Sequence, residues 1–173
     1  MRKRNWIIID LVIVFVLLAL DQFTKQLAIE YLKDKPARVI IKNVFELNYL
    51  ENHGSAFGML QNQKFFLIFV GVLFMGIVLF FLLKLPENKK FYPVHVCLSA
   101  VIAGGIGNMI DRIRFDHVVD FFSFVLINFP IFNVADCYIV VAITILFILF
   151  IFVFKEEDLD FLSFKQNKYR EMK

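Results

Sequence analysis

Three of the four carboxylates between positions 111 and 136 each stand in a distinctive phrase: Gly107-Asn108-Met109-Ile110-Asp111-Arg112, Val118-Val119-Asp120-Phe121-Phe122 and Phe132-Asn133-Val134-Ala135-Asp136. All three lie between the last two of its long apolar runs. Charged groups so close to hydrocarbon persist mainly where they face a bundle interior, a wet cavity or one another, so they are the first candidates for chemistry. Two carboxylates sharing a site cannot both ionise cheaply. One keeps its proton and can give it to a scissile carbonyl, while the other takes a proton from attacking water, with no metal needed. Asp120 and Asp136 suit such a pair, Asp136 standing at the start of an apolar run where a helix N-terminus favours its charged form. A plainer reading is equally open: Asn133 followed three residues on by Asp136 has the spacing of a capping box, and one residue can do both.

Other polar residues also carry two readings. Asp111 and Arg112 are either an interfacial charge pair ending a helix or, with Asn108, hydrogen-bonding groups that hold a substrate backbone or a catalytic loop. Asp21 and Lys25 stand four residues apart, the spacing of a helical ion pair. The stretch Asn52-His53-Gly54-Ser55-Ala56-Phe57-Gly58 is an ordinary connector or a loop whose glycines allow close backbone approach to a ligand. His53, His117 and Asp116 are potential metal ligands, but no His-x-x-x-His or comparable spacing supports a site, so neither metal nor cofactor is expected. Gly104, Gly105 and Gly107 follow no strand and sit in an apolar run, which argues against a nucleotide-binding turn. Ala100 with Gly104, and Ala103 with Gly107, instead form overlapping small-xxx-small pairs that mark a central, closely packed helix.

The elements that must position these groups are membrane-length. Of 173 residues, 60% are hydrophobic, well above a soluble domain, and 23 are Phe. The expected fold is an all-α integral membrane protein. Its single domain, 1–173, has spans at about 6–26, 65–83, 94–110 and 137–154, outer segments at 27–64 and 111–136, and a tail at 155–173. The first run contains Asp10 and must continue through Asp21 and Lys25 to cross; it lacks a small-x-small cleavage site and reads as a retained span. Alternation around Phe45, Leu47 and Tyr49, the β-branched Val39–Ile41, and the segment His117–Phe124 predict a small β platform at the outer face, with Lys42-Asn43 as a turn. A short interfacial piece is expected around Leu159–Phe164.

Eleven of the 19 basic residues fall in Met1–Asn5, Lys84–Pro93 and the tail from Lys155. That bias places both termini in the cytoplasm and gathers Asp21, Lys25, Asn52, Asp111, Asp120 and Asp136 at the outer face. The net charge of +3 is dispersed among acids, which argues against nucleic acid as a partner. Cys97 and Cys137 lie in or beside apolar runs and read as small hydrophobes rather than a disulfide.

Taken in order, Asp21-Gln22-x-x-Lys25, Asn52-x-Gly54-x-Ala56-Phe57, Gly104-Gly105-x-Gly107-Asn108-x-x-Asp111-Arg112, Val118-Val119-Asp120-Phe121 and Phe132-Asn133-x-Ala135-Asp136 closely resemble the bacterial lipoprotein signal peptidase (signal peptidase II) family, across nearly the whole chain. The resemblance implies a monomeric aspartic endopeptidase of the bacterial cytoplasmic (inner) membrane. Its substrate would be a diacylglyceryl-modified prolipoprotein, cleaved just before the lipidated cysteine in contact with membrane lipid. It further implies Asp120 and Asp136 as the catalytic dyad and Asn52, Gly54, Asn108, Asp111, Arg112, Asn133 and Ala135 as residues supporting substrate or dyad, with Asp21 and Lys25 as structural supports. Other intramembrane aspartic proteases carry Gly-x-Gly-Asp, whereas Gly105-Ile106-Gly107 is followed here by Asn108.

Overall fold

The computed structural model describes residues 3–54, 59–61 and 63–162. Helices α1 (Lys3–Leu32), α2 (Lys64–Lys84), α3 (Tyr92–Phe115) and α4 (Val134–Phe152) are each long and apolar enough to cross a membrane. Strands β1 (Arg38–Ile41), β2 (Phe45–Asn52) and β3 (Val118–Ser123) form one antiparallel sheet in the order β1-β2-β3. The turn between β1 and β2 is the one read at Lys42-Asn43: Val44 N donates to Ile41 O, and Asn43 takes a left-handed φ of 60°. Large apolar side chains such as Phe15, Phe65, Phe69 and Phe147 are exposed, as lipid-facing surfaces require.

The helix ends differ from those read in the sequence by one to six residues, and at three of them the reason is local packing or capping. Helix α1 continues through Leu32, because Ala28 and Leu32 bury against Val119 and Phe121 of β3. Helix α3 runs beyond residue 110 to Phe115, so Asp111 and Arg112 lie in its last turns; Asp116, left-handed at φ 67°, closes it by donating its N–H to Arg112 O. Helix α4 begins at Val134 because Asn133 caps it. The C-terminal segment turns through a short 3-10 stretch, Glu156–Leu162, that sets Phe161 against Phe91. Residues 163 and 164 of the interfacial piece read there lie outside the described residues.

Helix α3 is the hub, packing against each of the other three. Its small residues make that possible: a Cβ on Gly104 would sit 2.7 Å from Ala135 O of α4, and one on Gly107 would collide with Asp21 Oδ2 of α1. Polar ties add to this packing at both ends of the α1–α3 contact. At the end away from the sheet, His95 Nδ1 lies 2.9 Å from Asp10 Oδ2, Ser99 Oγ donates to Asp10 Oδ1, and Trp6 stacks on the His95 ring at 4.7 Å. Asp10, His95 and Ser99 are all buried, so the acid inside the first apolar run is paired across the helix interface.

The sheet has one irregularity that matters for the site. Leu47 pairs with Phe122, yet Leu50 pairs with Asp120, so β2 carries one extra residue between them. Because strand side chains alternate, that bulge shifts Asn52 opposite Val118 and onto the face that Asp120 occupies. After β3 the chain leaves through an apolar excursion and returns, with Phe132 bridging Phe122. The return delivers Asn133 beside Asp120 and starts α4.

Candidate functional site

Asp120 is 1% exposed and accepts two amide hydrogen bonds, from Asn52 Nδ2 at 2.8 Å and Asn133 Nδ2 at 2.6 Å. Asp136, half-buried in the first turn of α4, also accepts two, from Asn108 Nδ2 at 2.8 Å and Asn133 N at 3.1 Å. Asn133 therefore touches both carboxylates. The capping box read in the sequence is present in full, since Asp136 N donates back to Asn133 Oδ1 at 3.0 Å. That bond decides the orientation of the Asn133 amide: with Oδ1 engaged by the helix, Nδ2 points at Asp120. Capping and carboxylate positioning are one arrangement.

Lys25 performs the same service for Asn108. Its ammonium donates to Asn108 Oδ1 at 2.8 Å, which turns Asn108 Nδ2 toward Asp136. The same nitrogen lies 3.0 Å from Asp21 Oδ2 and 2.9 Å from Asp111 Oδ2, so all three ammonium protons have an acceptor. Asp21 Oδ1 accepts from Ala135 N at 3.0 Å and Asp111 Oδ2 from Val119 N at 3.2 Å. Buried at 0%, 2% and 1% exposure, Asp21, Lys25 and Asp111 would be costly alone; together they tie α1, α3, β3 and the start of α4 around the two carboxylates. The i, i+4 pair read in the sequence is real, and it is the centre of a larger network. Arg112 adds a brace, donating to Gly54 O at 2.9 Å and Asn108 O at 3.2 Å.

Burial, reinforced by the charge of Asp136, pushes Asp120 up to about 7, against the opposing pull of hydrogen bonds from Asn52 and Asn133. A carboxyl in that range holds a proton at neutral pH about half the time. Both acids open onto a cavity of about 810 Å³, also lined by Asn52, Asn108 and Arg112, with Phe129, Ile131, Ile139 and Val140 forming an apolar wall. Val140 and Val141 line it too and are exposed on the flank of α4, so the cavity opens sideways through the bundle surface.

The chain matches the family described as Signal peptidase (SPase) II over residues 13–152. It belongs to the signal peptidase II family. A lipoprotein signal peptidase from Caldanaerobacter subterraneus subsp. tengcongensis is 48% identical over 144 residues, 82% of this chain and 95% of that protein. One from Streptococcus thermophilus is 39% identical over 147 residues, 85% and 93% of the two chains. A solved bacterial membrane enzyme superposes with a TM-score of 0.74 at 25% identity, covering 82% of this chain and 86% of that one. This signal peptidase II family member is thus a membrane peptidase whose four apolar helices and small sheet match its structural relative.

All nine positions singled out in the sequence as dyad or support meet in this site, and the two structural supports are its buried centre. Ser55, Ala56, Phe57 and Gly58 of the Asn52 motif lie outside the described residues. Gln22 of the peptidase motif joins the network: its Nε2 lies 3.1 Å from both Asp21 Oδ2 and Asp111 Oδ1 and 3.3 Å from Gly107 O. Its spacing one residue from Asp21 was the available signal. The Asp10–His95–Ser99 tie was not foreseen, since three polar residues on two distant spans share no motif. Cys97 and Cys137 are unbridged, Cys97 in the apolar core.

Proposed function

We propose that this chain is an aspartic endopeptidase that cleaves prolipoproteins just before the diacylglyceryl-modified cysteine, with Asp120 and Asp136 as its dyad. The observation that carries the reading is the convergence of two carboxylates from separate elements on one cavity, joined through Asn133. In the resting state Asp120 carries the shared proton, because it is the more deeply buried acid. Asp136, in the first turn of the helix that Asn133 caps, serves as the base.

Water held between them attacks the carbonyl carbon. Asp136 takes the water proton as Asp120 donates its own to the carbonyl oxygen, giving a neutral gem-diol. On collapse the C–N bond breaks, Asp136 protonates the departing nitrogen, and Asp120 recovers a proton from a diol hydroxyl. The dyad is thereby restored. The apolar wall of Phe129, Ile131, Ile139 and Val140 suits the acyl chains of the lipidated cysteine, whose binding orients the peptide bond from a distance. The sideways opening along α4 suits a substrate arriving from the bilayer as a monomeric enzyme's helix-shaped guest. The charge bias of the sequence supports an outer-face site and cytoplasmic termini.

The test uses purified enzyme and a lipidated prolipoprotein. Asp120→Asn and Asp136→Asn are each expected to abolish processing while the protein stays folded and membrane-inserted; normal cleavage by both would refute the dyad.

A further inference from the structure

Beside the site, on its outer rim, the bulged register of β2 and β3 assembles a second constellation. Glu51, His53 and His117 each offer one ligand atom, and these atoms all lie within 4.8 Å of one another. None of the three is a neighbour in an obvious metal-binding spacing. His117 precedes β3 and Glu51 pairs with Val119, so the antiparallel ladder brings together residues 66 positions apart in sequence. We infer that Glu51, His53 and His117 form a binding site for one transition-metal dication of the zinc class, distinct from the dyad.

The donor set fits the ion. Two imidazoles and one carboxylate, with a fourth position left to water, is a common zinc set, with ligands at about 2.0–2.2 Å. A tetrahedral ion of that size needs donor atoms about 3.3 Å apart. His117 Nε2 and Glu51 Oε1 are already 3.7 Å apart. The exposed His53 side chain, edge-on to His117 with ring centroids 5.2 Å apart, can rotate to close the remainder.

Orientation also fits. The His117 side chain is only 11% exposed and packs against the His53 ring, which holds it at the cluster. Among the described residues no hydrogen bond engages either imidazole. Lys33 Nζ and Tyr49 Oη both donate to Glu51 Oε1, at 2.8 and 3.2 Å, and so hold the carboxylate beside His117. The Lys33 charge opposes a dication. Asp116, close enough to both imidazoles to interact with them, is itself paired with Lys64. The consequence for the enzyme follows from Asn52, which stands between Glu51 and His53 and donates to Asp120. A bound ion would pin the strand end that holds this amide against the dyad, stabilising the site without taking part in hydrolysis.

Full-length protein in detergent, freed of any polyhistidine tag and stripped with chelator, would be titrated with Co2+ as a spectroscopic probe and with Zn2+ by calorimetry. One equivalent per chain is expected, with the intense visible bands of a low-coordinate Co2+ site and a rise in Tm with Zn2+. His53→Ala, at an exposed position that the fold does not need, is expected to weaken binding at least tenfold, as is Glu51→Gln. The chain has only three histidines, and His95 is buried between α1 and α3, so these losses are diagnostic. Absence of stoichiometric binding at micromolar metal, or binding unchanged in His53→Ala, would overturn the site.

Discussion

If Asp120 and Asp136 act as the proposed dyad, raising the pH should remove the proton on which it depends, and the burial of Asp120 sets where. Asp120 sits at about 7, lifted chiefly by burial and secondarily by Asp136. If the singly protonated pair is the active form, kcat/KM, which reports the free enzyme, should hold its plateau below neutrality and fall about tenfold for each pH unit above about 7. The same proton affects stability. An unfolded Asp titrates near 3.8, so between there and about 7 the folded state binds a proton that the unfolded chain does not. The slope of unfolding free energy with pH is then negative. Stability conferred through this group is full below the lower value and is lost as pH rises through the upper one, by roughly 4 kcal/mol at about 1.4 kcal/mol per unit. Asp120→Asn should therefore be inactive at all pH values, yet its Tm should exceed that of the wild type at about pH 8.5 and converge with it in mild acid. A fluorogenic lipopeptide assay and thermal unfolding in detergent measure the two quantities. A kcat/KM that stays flat from about pH 6 to about pH 9 would refute the assignment of the resting proton to Asp120.

Removing the cation at the centre of the support network should cost both fold and function. Lys25→Met leaves Asp21 and Asp111 as adjacent buried carboxylates without a counter-charge, for a loss of about 3–5 kcal/mol in chemical unfolding. It also frees Asn108 to turn away from Asp136. Gly107→Ala should force α1 from α3, because the added carbon would collide with Asp21 Oδ2; a loss of about 1–3 kcal/mol and a lower Tm are expected. Asn133→Ala removes the cap of α4, worth about 0.5–2 kcal/mol, and the amide that joins the two acids. Its kcat should fall far more than its stability accounts for, which single-turnover kinetics beside a melting curve would establish.

What the sequence made legible, and what it did not, divides along a physical line. Four spans, the strand-prone segments and the central role of α3 were readable because each rests on local periodicity or on small-residue spacing that one helix carries by itself. The candidate acids were readable because charge is expensive beside hydrocarbon, although choosing Asp120 and Asp136 over Asp111 needed the family's motif order. Once the fold is in view that choice acquires a local reason. Asp111 faces Lys25, Gln22 and Val119 N and is consumed by structure, whereas Asp120 and Asp136 keep an edge on the cavity. Register is where reading along the chain fails. One extra residue in β2 decides that Asn52 shares a face with Asp120, and the same slip leaves Glu51 and His53 on either side of it, near His117. No spacing rule exposes a bulge, because its effect appears only when a second strand supplies the opposite row. Two arrangements thus hang on a single irregular pairing: an amide directed at Asp120, and a pair of histidines separated by 64 positions in sequence whose rings meet in space.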